Sequence, residues 1–248
     1  MSTRQAAEQS TEQSTEQSTE QSTEQSTELI VDRFTEQITD RFTEQANGQL
    51  TDRFTEQVTL REAPAHGAAA LILRPWTDED ADALVRHHAD ALLRSWLVTH
   101  LDTVDEARSW VAAQRQGWAA GTRAAFAVVE TGPAGPSAPL GHIALTTTAA
   151  DAAPVRAGYW TAAEARGRRI ASRALTLVSR WAASDGSPFA GRPLQLVHAV
   201  GNEGSCRTAL GCGYPLAGTL PADPPARPRA QHLHTASDQT VSRVTREA

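Results

Sequence analysis

The chain has 248 residues, 40% of them hydrophobic, and a formal net charge of -6 at pH 7. Residues 1–60 hold 4 Arg and 12 acidic residues (-8), whereas the rest of the chain holds 19 Arg and 17 acidic residues (+2). A near-neutral body lacks the basic surface that general nucleic-acid binding requires, so we predict no nucleic-acid partner.

The two cysteines, Cys206 and Cys212, are too few for a disulfide framework, and their spacing matches no zinc motif. The N-terminus lacks the basic and then apolar pattern of a signal peptide, and no apolar run reaches the ~20 residues that cross a bilayer. We therefore expect a reduced, soluble, cytoplasmic protein with no membrane partner.

Residues 1–62 form a low-complexity repeat tail, in which STEQ units are followed by DRFTEQ units at Asp32, Asp40 and Asp52. The first units lack apolar side chains and are expected to be disordered, because nothing offsets the entropy of ordering the backbone. Later apolar residues recur every four positions and suggest two short amphipathic helices that dock on the domain or self-associate. A partly disordered repeat expansion with no partner is the alternative.

The rest of the chain alternates strand and helix patterns, which predicts an α/β fold. A helix is expected from Thr77, and a capping box predicts another from Thr103 to Trp118. The remaining predicted helices are 170–183 and 205–210, and the predicted strands are 69–73, 125–130, 140–146, 155–160, 194–200 and 231–236.

The strongest functional pattern runs from Gly158 to Ala182, where a strand passes through a short turn into a helix. Such a turn leaves backbone N–H groups free at the helix start. Four arginines crowd it although positive charge there opposes the helix dipole, and a bound polyanion would reverse that cost. The four arginines are Arg166, Arg168, Arg169 and Arg173. A phosphorylated cofactor is therefore predicted, the alternative being a solvated surface turn.

This turn resembles the cofactor loop of the GNAT acyltransferase superfamily, (Q/R)-x-x-G-x-(G/A), and the resemblance extends from Leu71 to Gly218. The segment LRPWTDEDADAL is similar to the branch that contains ribosomal-protein N-terminal acetyltransferases. The resemblance implies a mixed, mostly antiparallel sheet flanked by helices over residues 69–236, with a flexible C-terminus at 237–248. It also implies acetyl-CoA as the co-substrate.

Within that pattern, Arg166 fills the first position and Ala171 the last, while Arg169 replaces the usual glycine. A side chain there is expected to weaken cofactor binding, unless Arg169 itself contacts a phosphate. The cofactor-binding residues implied by the resemblance are Trp160, Thr161, Arg166, Gly167, Arg168, Arg169, Ile170, Ala171, Ser172 and Asn202.

The stretch from Val200 to Tyr214 is similar to the family segment N-x-x-S, with Asn202 and Ser205 in the matching places. The resemblance implies that Asn202 holds the pantetheine arm and that Ser205 assists the departing thiolate, which makes both catalytic candidates. Taken alone, Ser205 is more simply an N-cap, and both roles can coexist.

The implied reaction is direct attack of an amine on the thioester, with backbone N–H groups of residues 157–161 polarising the carbonyl oxygen. The family's glutamate, two residues before the glycine of GYW, is Arg156 here, so the usual general base is missing. Glu130 and Asp151 are possible substitutes.

Histidines are further acid–base candidates, and they occur at positions 87, 88, 142, 198, 232 and 234. His232 and His234 would share one face of a strand. Without a third ligand in view, no metal is predicted.

Two functions follow. The first is an N-acetyltransferase that acts on a primary amine, either a protein N-terminus or a small molecule. The second is a catalytically impaired GNAT-fold module that binds CoA or a protein, which Arg156 and Arg169 favour.

Overall fold

The computed structural model describes residues 58–64, 68–132, 135–147, 153–224 and 228–236. All of them belong to one compact unit, Leu50–Ala248. The predictions for the repeats before residue 58, for Asp151 and for residues 237–248 lie outside the described residues.

The described strands form one twisted sheet in the order β1-β2-β3-β5-β6-β7-β9-β8, with β4 paired to β3. Neighbouring strands are antiparallel except β6 and β7, which are parallel. This is the mixed, mostly antiparallel sheet that was predicted. The strands are β1 Leu60–Glu62, β2 Ala70–Arg74, β3 Arg123–Gly132, β4 Gly135–Pro136, β5 Gly141–Thr146, β6 Val155–Thr161, β7 Leu194–Ala199, β8 Leu216–Leu220 and β9 Gln231–Thr235.

Helices pack on both faces of this sheet. They are α1 Ala81–His88, α2 Ala91–Arg94, α3 Val104–Ala119, α4 Ile170–Ala183 and α5 Glu203–Gly211. The capping box predicted at Thr103 is confirmed, because the Thr103 hydroxyl accepts the Glu106 N–H and the Glu106 carboxylate accepts the Thr103 N–H. No helix among the described residues has the length and apolarity needed to cross a bilayer.

The helix expected from Thr77 starts there, with Thr77 as the N-cap, but it does not continue as a single helix. A 3₁₀ turn, Asp78–Asp80, leads into α1, and the chain breaks at Asp90. Asp90 has extended backbone (ψ 118°), and its carboxylate accepts the Leu93 N–H at 2.7 Å, which starts α2 as a separate helix. An aspartate side chain can compete with the backbone for that N–H, so it ends one helix and caps the next.

Alternating residues of β3 supply two cores. Phe126 and Val128 pack toward α4 on one face of the sheet, here the α4 face, together with Leu175. Ala125 and Ala127 pack toward α1 and α3 on the other, the α1 face, with Trp76 and Trp160. The two-residue period of a strand makes this division inevitable.

The sheet begins inside the segment predicted as tail. Leu60 pairs with Leu73, and the Glu62 carboxylate accepts a hydrogen bond from Arg173 Nε at 2.7 Å. The boundary at residue 62 is therefore corrected to residue 60 or earlier.

Strands β6 and β7 run together only briefly. Their parallel register ends at Ala157 opposite Leu196, although β6 continues to Thr161 and β7 to Ala199. The two strands therefore part and leave the edge of β6 open toward β7.

Candidate active site

An open cleft of about 1330 Å³ lies where β6 and β7 part. It runs from the turn before α4, past the start of α5, to the α1 face of the sheet. The cleft-lining residues used below are Arg123, His142, Thr146, Arg156, Tyr159, Trp160, Thr161, Arg166, Gly167, Arg169, Ile170, Ala171, Ser172, His198, Asn202, Glu203, Ser205 and Arg207.

The open edge of β6 presents two backbone donors. The Val155 N–H donates to the Pro193 carbonyl on the β7 side, whereas the Ala162 N–H donates to the Leu140 carbonyl on the β5 side. Because N–H groups alternate between the two edges of a strand, Tyr159 and Thr161 direct theirs toward β7. The β7 register has ended by then, so these N–H groups face the cleft.

The turn before α4 presents more donors. Gly167 and Arg169 both have positive φ, at 74° and 59°, and Arg169 is the one non-glycine among the described residues with that conformation. Within the described part of the chain, the N–H groups of residues 167–172 meet no backbone or side-chain acceptor. A turn of this kind at the start of a 14-residue helix is an anion-binding arrangement.

The four arginines of this turn do not act as one cluster. Arg166 pairs with Asp90, and Arg168 pairs with Glu130. Arg173 is tied to Glu62, to Glu130 and to the Ala69 carbonyl. Hydrogen bonding from Arg166 also lowers the pKa of Asp90.

Arg169 is the exception. It lines the cleft, and its side chain meets no carboxylate among the described residues. The prediction that all four guanidinium groups face one phosphate site is corrected, since Arg168 and Arg173 instead bind β1, β3 and the residue before β2.

Asn202 and Ser205 lie together at the cleft, at the start of α5. Asn202, not Ser205, is the N-cap, because its Oδ1 accepts the Ser205 N–H at 3.1 Å. The N-cap role considered for Ser205 is therefore wrong, and its hydroxyl is not used for capping.

Tyr159 was missed by the sequence analysis. Its hydroxyl donates to the Ser205 carbonyl at 3.4 Å, and burial raises the pKa of the phenol. A protonated phenol beside Ser205 is a second proton donor in the cleft. Side chains alternate along β6, so Tyr159 lies on the same face of the sheet as Ala157 and Thr161. Its place in the cleft could have been predicted from that alternation.

Trp160 and His142 belong to the α1 face. Their rings stack at a centroid distance of 6.0 Å, and Trp76 Nε1 donates to His142 Nδ1 at 3.0 Å. Burial lowers the pKa of His142 to about 3, so its ring stays neutral with Nδ1 already occupied. His142 is therefore not a candidate general base.

Glu130 is not a candidate base either. It lies outside the cleft lining, and both of its carboxylate oxygens are bound by arginines. Among the described residues, Glu203 is the one acidic side chain that lines the cleft, and it is exposed and paired with Arg207 at 3.4 Å.

A row of three residues crosses the α1 face at the opposite end of the cleft. Arg123 on β3 is paired with Thr146 on β5, which is paired with Arg156 on β6. Neighbouring strands lie about 4.8 Å apart, so the two arginines flank Thr146 on one face, about 10 Å from each other. Arg123 donates to Gln114 and meets no carboxylate among the described residues, and burial lowers the pKa of its guanidinium.

The family model described as an acetyltransferase (GNAT) domain matches residues 70–215, more than half of the chain. The chain belongs to the GNAT acetyltransferase family. No curated protein matches it. This membership confirms the resemblance and the fold that it implied.

Solved GNAT structures share the fold at low sequence identity. Mycobacterium smegmatis RimJ, in complex with CoA-disulfide, is 19% identical with a TM-score of 0.59, covering 77% of this chain and 95% of its own. Ribosomal-protein-S5-alanine acetyltransferase from Vibrio fischeri is 14% identical with a TM-score of 0.56, covering 71% and 95%. MccE, the Microcin C7 self-immunity acetyltransferase, in complex with acetyl-CoA and AMP, is 16% identical with a TM-score of 0.56, covering 66% and 91%.

Proposed function

We propose that this protein is an N-acetyltransferase that transfers an acetyl group from acetyl-CoA to a primary amine by direct attack. The observation that carries the proposal is the gap between β6 and β7, with the unpaired N–H groups of residues 167–172 beside it. A diphosphate would satisfy those N–H groups. The gap between the strands would hold the pantetheine arm.

Acetyl-CoA, when bound, supplies the thioester that the acceptor amine attacks. The Tyr159 and Thr161 N–H groups at the open edge of β6 are donors for the negative charge that develops on the carbonyl oxygen. The hydroxyls of Ser205 and Tyr159 supply protons near the departing thiolate. The Asn202 cap fixes the start of α5 and thereby the position of Ser205.

The acceptor enters from the α1 face, where Arg123 and Arg156 flank Thr146. Nearby cations lower the pKa of an acceptor ammonium and favour the free amine, which is the attacking form. They also favour acceptors that carry a carboxylate or a phosphate in addition to the amine. Small amino acids, amino phosphates and peptides with an acidic residue near the N-terminus meet this requirement.

A catalytically impaired CoA-binding module is the second candidate. Arg169 occupies a left-handed conformation where the family pattern has glycine, and Arg156 replaces the family's glutamate. In this candidate Arg156 leaves the site without the family's general base and Arg169 weakens cofactor binding, while the gap between β6 and β7 stays open. This candidate predicts cofactor binding without turnover.

Calorimetry with acetyl-CoA, followed by thiol-release assays over paired acceptors, separates the two. Each pair would contain an amine with a free carboxylate or phosphate and the same amine with that group blocked. We expect turnover with the charged member and slower turnover with the blocked one. Binding without thiol release on any acceptor would favour the impaired module, and no binding of acetyl-CoA would rule out both.

The Ser205→Ala variant tests the assignment of the leaving-group donor. We expect kcat to fall by about 10²-fold, in the range for loss of a general acid, with little change in the affinity for acetyl-CoA. A fall in affinity alone would make Ser205 a binding residue.

A further inference from the structure

Four side chains meet between β7, β9 and the start of α5, on the α4 face of the sheet. They are His198, Cys206, His232 and His234, and their ligand atoms all lie within 4.8 Å of one another. His198 is opposite His232 in the antiparallel pairing of β7 and β9, and His234 is two residues further along β9. Cys206 reaches them from α5. We propose that this cluster, here the His3Cys cluster, binds one Zn²⁺ ion.

The hydrogen bonds of two histidines carry the argument. His234 Nδ1 lies 2.9 Å from the Tyr214 carbonyl oxygen, and His198 Nδ1 lies 3.0 Å from the Ala199 carbonyl oxygen. A carbonyl oxygen only accepts hydrogen bonds, so both Nδ1 atoms carry a proton. Each neutral ring then has a lone pair on Nε2.

Those two lone pairs face each other, because His198 Nε2 and His234 Nε2 are 3.1 Å apart. Two buried acceptors at this distance repel unless a cation lies between them. A shared proton or a metal ion would remove this repulsion, and the neighbouring side chains favour the metal ion. A proton needs no further ligand, whereas Cys206 and His232 complete a set of four.

His232 supplies an independent observation. Its Nδ1 is buried and meets no hydrogen-bond partner within the described part of the chain. A buried ring nitrogen without a partner costs free energy unless a ligand satisfies it. It lies in the same cluster, with its ring centroid 5.3 Å from that of His198.

The donor set fits zinc. One thiolate and three imidazoles are common Zn²⁺ ligands, and a closed set of four is typical of structural sites. Tetrahedral Zn²⁺ requires ligand atoms roughly 3.3–3.6 Å apart for the usual bond lengths. The His198–His234 pair is already near this distance, and the other ligand atoms need to move by about 1 Å. The carbonyl bonds at Nδ1 are the supporting contacts that metal-binding histidines usually make.

The role of such an ion would be structural. Cys206 follows Ser205 directly, and His198 lies at the end of β7 where the strands part. An ion held by both would fix the start of α5 against the sheet, and with it Asn202 and Ser205. The Cys206–metal bond would make this position independent of whether cofactor is bound.

Metal content of the full-length protein tests the proposal. After incubation with Zn²⁺ and dialysis we expect about one equivalent per chain, and a thiolate-to-metal charge-transfer band when Co²⁺ replaces Zn²⁺. Cys206→Ala should lose that band. It should also weaken Zn²⁺ binding by more than 100-fold, since losing only a supporting contact typically costs about 10- to 100-fold. Cys212→Ala is the matched control, because Cys212 lies at the other end of α5 outside the cluster, with Thr176 and Ser172 as its partners.

Alkylation of the two cysteines gives a second readout that needs no variant. Zn²⁺ should protect Cys206 from iodoacetamide and leave the labelling of Cys212 unchanged, as followed by peptide mass spectrometry. Equal labelling of Cys206 with and without Zn²⁺ would overturn the proposal, as would wild-type protein that retains no metal. Neither measurement uses acetyl-CoA, so a negative result leaves the proposed acetyltransferase function untouched.

Discussion

The Asn202 side chain caps the helix that carries Ser205, with 3.1 Å between Asn202 Oδ1 and Ser205 N. Asn202→Ala should lower the free energy of unfolding by about 1 kcal/mol, because the cap is lost. Asn202→Asp keeps the accepting oxygen and should retain stability, but it lacks the amide N–H that would hold the pantetheine arm. Urea unfolding and calorimetry with acetyl-CoA measure the two effects separately. An Asn202→Asp protein with wild-type affinity would show that the amide N–H holds no part of the cofactor.

Arg169 has a left-handed backbone conformation that favours glycine. Arg169→Gly should remove about 1 kcal/mol of backbone strain, partly offset by the greater entropy of the unfolded chain, and should tighten acetyl-CoA binding. Arg169→Ala is the matched variant, since it removes the guanidinium and keeps the strain. Tighter binding by the glycine variant alone would identify the backbone as the cause. Weaker binding by both variants would make Arg169 a phosphate ligand.

Glu130 holds Arg168 and Arg173 and lies outside the cleft lining. Glu130→Gln should lower the free energy of unfolding by about 2 kcal/mol, because hydrogen bonds to charged partners are weakened. Its kcat should remain near that of the wild type. Chemical denaturation and steady-state rates measure both quantities. A fall in kcat of about 10²-fold in a folded variant would restore Glu130 as a general base.

His88 is buried, and neither ring nitrogen has a hydrogen-bond partner within the described residues. Burial is the main cause that lowers its pKa from 6.5 to about 4. Between these pH values the unfolded chain binds more protons than the folded protein, so stability rises with pH across this window and is lost on acidification. His88→Leu should flatten that dependence in thermal unfolding between pH 4 and 6.5. An unchanged slope in His88→Leu would contradict the assignment.

Arg156 lies beside Thr146 at the end of the cleft that we propose receives the acceptor. Arg156→Gln should raise KM for a carboxylate- or phosphate-bearing acceptor by about 10-fold, because a charged hydrogen bond is lost. The KM for acetyl-CoA should stay constant. Arg207→Gln is the control, since Arg207 also lines the cleft but lies on α5 and is paired with Glu203. An equal rise in KM with the blocked acceptor would show that Arg156 does not bind the anionic group.

Most of the sheet could be predicted from sequence because β3, β5, β6 and β7 are apolar runs bounded by turn residues. Strand β1 could not, since Leu60–Glu62 is three residues long and ends a repetitive segment. Its pairing with β2 is a tertiary contact with no local signal. The interruption of the helix at Asp90 was also missed. An aspartate within a helical sequence pattern caps a second helix only when the chain turns there, and tertiary contacts decide that turn.

The sequence by itself determined the family, the turn that precedes α4, and the residues Asn202 and Ser205 at the start of α5. Those features depend on neighbours in the chain, and local geometry follows from them. Only the tertiary structure decided which of the four arginines meets no carboxylate among the described residues, because the carboxylates that bind Arg166, Arg168 and Arg173 come from the N-cap of α2, from β3 and from β1. It also decided that His198 and Cys206 meet the two histidines of β9, since strand pairing and the docking of α5 join residues more than 25 positions apart.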